Sequence, residues 1–144
     1  MRSFNARTVG YWLTTALVAI AFAAGAVFDL SGAPEVVAVI DRLGYPAYVA
    51  TLLGFWKGLG VVALLVPRFE RLKEWAYAGM FFDLSGAAVS HVAAGDAVSQ
   101  TVVPLVLLGL VMASWRLRPE SRRLSSAVEE VASRSLPSAA FARS

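Results

Sequence analysis

The chain has 144 residues, of which 58% are hydrophobic and 16% charged, and its mean hydropathy is +0.63. Soluble domains typically carry about 25% charged residues, so this composition favours a single-domain membrane protein. The absence of cysteine excludes disulfides, thiolate metal sites and covalent haem attachment through this chain. The formal charge of +3 does not indicate a nucleic-acid partner, because the basic residues lie at the ends of apolar segments.

Four apolar segments are long enough to cross a bilayer, which requires about 20 helical residues. The predicted spans are residues 9–29, 45–66, 75–94 and 98–115. Residues 34–46 (PEVVAVIDRLGYP) are too short and too charged to span, and their apolar residues predict a short interfacial helix in the first outer loop. A cleaved signal peptide is the alternative interpretation of the first segment, because Arg2 and Arg7 precede it.

The last segment, residues 116–144, is a basic tail rich in Ser and Ala that is predicted to be partly disordered. In the four-span topology most of the basic residues of the chain fall on one side of the membrane, which is also the side of this tail. The basic residues on that side are the six arginines after Trp115 together with Arg2, Arg7, Arg68, Arg71 and Lys73. Because Lys and Arg concentrate on cytoplasmic flanks, both termini are predicted to be cytoplasmic.

A ten-residue motif occurs twice, as AGAVFDLSGA at residues 24–33 and AGMFFDLSGA at residues 78–87, with eight of ten positions identical. Both copies lie on predicted spans that begin on the same side of the membrane. The repeat therefore predicts an all-α, four-helix bundle built from two tandem helical hairpins. It also favours a retained first helix over a signal peptide, because the second copy is internal.

Three further segments carry a resemblance to a known family: GYPAY (44–48), LGFWKGLGVVALLVP (53–67) and RLKEWAYAGMFFDLSGAAVSH (71–91). With them, the sequence resembles the DoxX-like family within the wider DoxX group. The resemblance implies a four-helix bundle in the bacterial cytoplasmic membrane. It implies no catalytic residue, since most DoxX-like proteins have no assigned activity. Relatives in the wider group are associated with thiosulfate:quinone oxidoreduction and other membrane redox systems.

Two ionisable residues, Lys57 and Asp83, fall deep inside predicted spans. A charge at this depth costs at least about 2.5–3.5 kcal/mol, so such groups normally face the bundle and have a partner. Counted along their helices, both lie roughly 12–13 Å from the same boundary, which predicts a buried ion pair. The pair either fixes helix register or serves as a ligand anchor or proton relay. Nearby small residues predict close helix packing; they are Gly54, Gly58, Gly79 and Gly86.

A second polar group is predicted nearer the outer surface, where Asp29 and His91 reach comparable depth and are expected to be hydrogen-bond partners. The same outer polar cluster includes Ser31, Ser85, Ser90 and Tyr45. These residues either line a polar vestibule, in which His91 exchanges protons, or are ordinary interfacial residues wetted by headgroups. No metal site is predicted, because one His without Cys supplies too few ligands.

Aromatic side chains surround Lys57 at the same depth, namely Phe55, Trp56 and Phe82. They predict stacking of a flat lipophilic ring such as a quinone headgroup, the alternative being packing against lipid. The expected function is a membrane component, not an enzyme on its own, that binds such a ligand or a redox partner protein. The alternatives are a small proton-coupled transporter or permease, expected to require a homo-oligomer, and a purely structural scaffold.

Overall fold

The computed structural model describes residues 5–119, 122–123 and 131. The described part contains five α-helices and no strand, so the predicted all-α fold is confirmed. The helices are α1 (Ala6–Ser31), α2 (Pro34–Arg42), α3 (Tyr48–Leu65), α4 (Glu70–Ala93) and α5 (Val98–Leu117). The predicted disordered tail, residues 116–144, lies mostly outside the described residues.

Local sequence explains where α1 begins and ends. The side chain of Asn5 caps its start by accepting a hydrogen bond from the backbone N–H of Arg7 at 3.2 Å. At the other end Gly32 adopts a left-handed φ of 63°, and its N–H donates to the carbonyl of Phe28. Pro34 follows closely and disfavours helical backbone in the residue before it, so the chain turns into α2.

The end of α3 is stabilised by a lysine from the next helix. Val66 is extended because Pro67 follows it, which stops α3 at Leu65. The Lys73 ammonium donates to the carbonyls of Ala63 and Val66, where the helix leaves acceptors unpaired. Lys73 precedes the predicted third span and is only 1% exposed. Burial lowers the pKa of its ammonium group, and the positive charge of Arg122 lowers it further.

The four long helices pack in the cyclic order α1, α3, α4 and α5. Each contacts its two neighbours in that order, and α3 with α4 is the least extensive of the four pairs. All four contribute to one apolar core, which consists of Val18, Ala19, Phe22, Leu64, Tyr77, Met80, Leu84 and Val111. The looser α3–α4 side is where the candidate site lies.

The outside of the helices is also apolar. Ile20, Phe82 and Val89, for example, expose 68%, 70% and 69% of their surface, as side chains that face lipid do. Within the described residues three helices, α1, α3 and α5, are long and apolar enough to cross a membrane. The fourth long helix, α4, is not among these three; it is the most polar of the four and carries Asp83 and His91 in its second half. These features support the predicted membrane location.

Candidate functional site

An apolar groove with a cavity of about 510 Å³ lies between α3 and α4. Phe22 of α1 also contributes to its lining. The lining residues of α4 recur every three or four positions from Leu72 to Asp83, so the groove follows one face of that helix for about 16 Å. Lys57 and Asp83 are its charged lining residues, and both lie towards the same end.

The Lys57 ammonium forms an ion pair with Asp29 rather than with Asp83. Its Nζ lies 2.8 Å from Oδ2 of Asp29, and the two side chains are only 21% and 10% exposed. The stem of Lys57 lies against Gly25 on α1, because a Cβ built on that glycine would be 3.6 Å from Lys57 Cδ. The predicted pairing of Lys57 with Asp83 is therefore corrected: no ion pair joins these two among the described contacts.

The direction of helical side chains explains the change of partner. A Cα–Cβ bond points towards the N-terminus of its helix. Because α1 and α3 run in opposite directions, Lys57 and Asp29 extend towards each other along the bundle axis. Asp83 on α4 extends the opposite way from Lys57, although their Cα atoms were expected at equal depth.

Asp83 is left as a partly buried carboxyl that lines the groove. It interacts electrostatically with both Lys57 and Asp29 but has no hydrogen bond among the described residues. The local arrangement therefore contains one cation and two carboxyl groups, of which only one is directly paired. A carboxyl group that is removed from water, as that of Asp83 is in part, normally requires a hydrogen-bond partner.

The two aspartates occupy the same position in the two copies of the repeated motif. In the first copy the helix ends at Ser31, where Gly32 is left-handed and Pro34 follows. In the second copy the equivalent Gly86 remains inside α4, which continues to Ala93. The repeat thus brings two equivalent carboxyl groups close to Lys57, one from α1 and one from α4, although the two helices end differently relative to the motif.

The outer polar cluster is only partly as predicted. His91 Nδ1 lies 2.7 Å from Oδ2 of Asp96, and the other carboxylate oxygen of Asp96 lies 3.0 Å from Nε of Arg42. The predicted pairing of His91 with Asp29 is therefore wrong, because Asp29 is held by Lys57. The cluster does bring Tyr45 and Ser90 together, with their hydroxyl oxygens 2.8 Å apart.

The remaining predicted members of that cluster bond within their own helices. Ser31 Oγ donates to the carbonyl of Phe28, and Ser85 Oγ donates to the carbonyl of Phe82. Such bonds satisfy a hydroxyl in an apolar setting without a partner on another helix. Among the described residues no group of three or more His, Asp or Glu side chains is arranged to hold a metal ion.

Replacing Asp96 by Asn is expected to loosen the attachment of α2. The carboxylate of Asp96 joins Arg42, the last residue of α2, to His91 near the end of α4. Because Arg42 is 45% exposed, the loss is expected to be modest, with amide hydrogen exchange in α2 roughly two- to fivefold faster. Asp41→Asn is the matched control, since the exposed Asp41 side chain has no hydrogen bond in the described part, and equal acceleration by both variants would contradict the assignment.

One known family matches most of this chain. The family model described as the DoxX-like family matches residues 13–114, which include most of α1, the whole groove and most of α5. The chain belongs to the DoxX-like family. The comparisons with curated proteins and with solved structures find no match.

The aromatic lining of the groove in this DoxX-like protein differs from the predicted set. Trp56 lines the groove as expected. Phe55 and Phe82 are not part of the lining. Phe22 and Trp75 line it instead. Phe22 lies on α1, and the predicted ring-binding residues all belong to the second and third predicted spans. Trp75 is the first residue of the third predicted span and was not predicted to bind a ring.

Only one of the four predicted packing glycines makes a close helix contact. A Cβ on Gly54 would lie 2.8 Å from Asp29 Cβ and 2.8 Å from Leu30 Cγ. The same test at Gly58, Gly79 and Gly86 finds no heavy atom within 4 Å. Gly54 and Gly58 therefore do not form a two-point contact: α1 comes close to the backbone of α3 at Gly54 but not one turn later at Gly58.

A buried hydroxyl network joins α1, α4 and α5 and was not predicted. Ser114 Oγ is 2.7 Å from Thr15 Oγ1 and 2.8 Å from the hydroxyl of Tyr77, which joins α5 to α1 and α4. Beyond it, Arg118 donates to Glu74 at 2.6 Å, with its guanidinium carbon 4.9 Å from the Tyr77 ring centroid. Single hydroxyls in apolar helices give no periodic signal, so the sequence contained little to reveal them.

Proposed function

We propose that this DoxX-like protein spans the bacterial cytoplasmic membrane four times and binds a flat lipophilic ring in the groove between α3 and α4. The cavity of about 510 Å³ is the observation that carries the proposal. Ligand pockets measure about 300–1,000 Å³ and are mostly apolar, with a few polar groups that orient the ligand. Trp56 and Trp75 supply ring faces, and Lys57 and Asp83 supply the polar end.

In this proposal α1, α3, α4 and α5 are the four spans of a bundle made of two tandem hairpins, and α2 lies at the outer interface. Arg7 donates to the carbonyl of Arg116 at 3.5 Å, which supports a common side for the start of α1 and the end of α5. Most basic residues belong to that end, whereas Arg42 belongs to the other. The positive-inside rule therefore favours cytoplasmic termini.

A quinone is the first ring to test, since its headgroup is flat and accepts hydrogen bonds. A bound quinone would make the protein an accessory that presents the ring to a redox partner protein in the membrane. Among the described residues no cluster of side chains is arranged to hold a metal ion, and the proposal assigns no reaction to the chain. Its proposed contribution is binding and orientation.

The transporter alternative requires a continuous polar path across the bundle. Between Thr15 and Asp29, the buried residues of α1 are all apolar: Val18, Ala19, Phe22 and Ala26. They separate the Lys57 ion pair from the hydroxyl network at the other end. This apolar layer favours a binding role over a proton path through a single copy.

The matched substitutions Gly79→Leu and Gly86→Leu test the groove. Both glycines lie on α4, and a Cβ at either would have no heavy atom within 4 Å, but only Gly79 lines the cavity. Filling the cavity at Gly79 is expected to reduce co-purifying quinone at least about tenfold, because Leu occupies the volume of the ring. The measurement is solvent extraction and mass spectrometry of protein purified in mild detergent.

Gly86→Leu is expected to retain the quinone of the wild type. Equal retention by the two variants, or wild-type protein that carries only bulk lipid, would contradict ring binding in the groove. Thermal unfolding of both variants in the same detergent shows whether a loss of ligand reflects a loss of fold.

A further inference from the structure

We infer that the groove selects lipophilic rings that carry a hydroxyl group, such as phenols and hydroquinones, through a hydrogen bond with the carboxyl group of Asp83. This inference rests on the proposed function, because it names the ligand class of the same groove. It goes beyond ring binding by assigning the polar contact to one residue.

The first step is the charge balance at the polar end of the groove. Three titratable groups lie close enough to interact electrostatically there: Asp29 from α1, Lys57 from α3 and Asp83 from α4. Lys57 and Asp29 satisfy each other at 2.8 Å. Asp83 is the third member, and it has no hydrogen-bond partner among the described residues. Its carboxyl lines the cavity, so a ligand can supply the missing partner.

The second step is the chemistry of that partner. An ionised carboxylate only accepts hydrogen bonds, whereas a protonated carboxyl group also donates one. A ring hydroxyl both donates and accepts, so it satisfies Asp83 in either protonation state. A quinone carbonyl only accepts and serves the protonated form alone, while an ammonium only donates. Of these three ligand groups, the hydroxyl is therefore the one that can form a hydrogen bond with Asp83 in both of its protonation states.

The third step is the surroundings of the hydroxyl. The rest of the groove is lined largely by apolar and aromatic side chains, including Trp56, Trp75 and Met80. These side chains accept the ring body but leave a second strongly polar substituent without a partner. The expected ligand is consequently a ring with its hydroxyl at one end and an apolar remainder directed along α3 and α4.

The test compares a naphthol with its methyl ether, which share the ring but differ in the hydroxyl proton. Affinities are measured by titration calorimetry in identical detergent micelles. Wild-type protein is expected to bind the naphthol roughly ten- to hundredfold more tightly than the ether, as for a charge-assisted hydrogen bond in a site shielded from water. Asp83→Leu is expected to abolish this preference, and Asp83→Asn to retain part of it.

The possible outcomes separate this inference from the proposed function. Equal binding of both compounds by the wild type, with both lost in Gly79→Leu, would support the groove but overturn hydroxyl selection. A preference that persists in a folded Asp83→Leu variant would overturn the assignment to Asp83. Failure of the wild type to bind either compound would overturn the proposed function, and the inference with it.

Discussion

Replacing Lys57 by Met is expected to lower the free energy of unfolding by about 3–5 kcal/mol. The reason is that Asp29, only 8% exposed, would lose its 2.8 Å ion-pair partner inside an apolar environment. Denaturant or thermal unfolding in detergent micelles measures the loss. A fall of this size would establish the pair as a principal link between α1 and α3.

A second substitution identifies the partner of Lys57. Adding Asp29→Asn to Lys57→Met is expected to recover most of the lost stability, because the unpaired carboxylate disappears and the side chain keeps its shape. Adding Asp83→Asn instead is expected to recover little. Recovery with Asp83→Asn but not with Asp29→Asn would contradict the ion pair described above and restore the partner predicted from sequence.

Gly54→Ala is expected to destabilise the protein by about 1–3 kcal/mol, as overpacking of a close contact does. The new Cβ would lie 2.8 Å from Asp29 Cβ and 3.1 Å from the backbone carbonyl oxygen of Ala26. A backbone atom cannot rotate away as a side chain can, so α1 and α3 would have to separate. Their separation would also disturb the ion pair beside Gly54.

Gly58→Ala is the matched control for this prediction. Gly58 lies one turn further along α3, and its added Cβ would meet no heavy atom within 4 Å. Ala is the better helix former by about 1 kcal/mol, so this variant is expected to be neutral or slightly more stable. Comparable losses of unfolding free energy in the two variants would show that helix contact at Gly54 is not the cause.

The helical fold and the membrane location were predictable because apolar segments of this length have few alternatives in water or lipid. The partner of Lys57 was not, because depth along a helix ignores the direction in which each side chain extends. Asp29 had been assigned to the outer cluster from its Cα depth, but its side chain reaches Lys57. A correct expectation would have required the side-chain directions of α1, α3 and α4.

Only some of the residues that line the groove were predictable from the sequence, for a related reason. In a soluble amphipathic helix the apolar face identifies the core, but a helix in lipid is apolar on both its buried and its exposed face. The depth of Phe55, Trp56 and Phe82 in the membrane was therefore predictable, but the direction in which each side chain points around its helix axis was not. Trp56 lies in the groove, whereas Phe55 and Phe82 do not. Charged residues were the more reliable guide, since Lys57 and Asp83 both line the cavity.

The polarity of α4 has a consequence for how the chain enters the membrane. In the proposed topology α4 would partition poorly from the translocon into lipid alone, because it carries charges in its first turns and Asp83 within. One of these charges has a partner on the neighbouring helix: Arg118, at the end of α5, forms an ion pair with Glu74. Since α5 leaves the ribosome after α4, the two helices are expected to integrate together as one hairpin against α1 and α3 already in place.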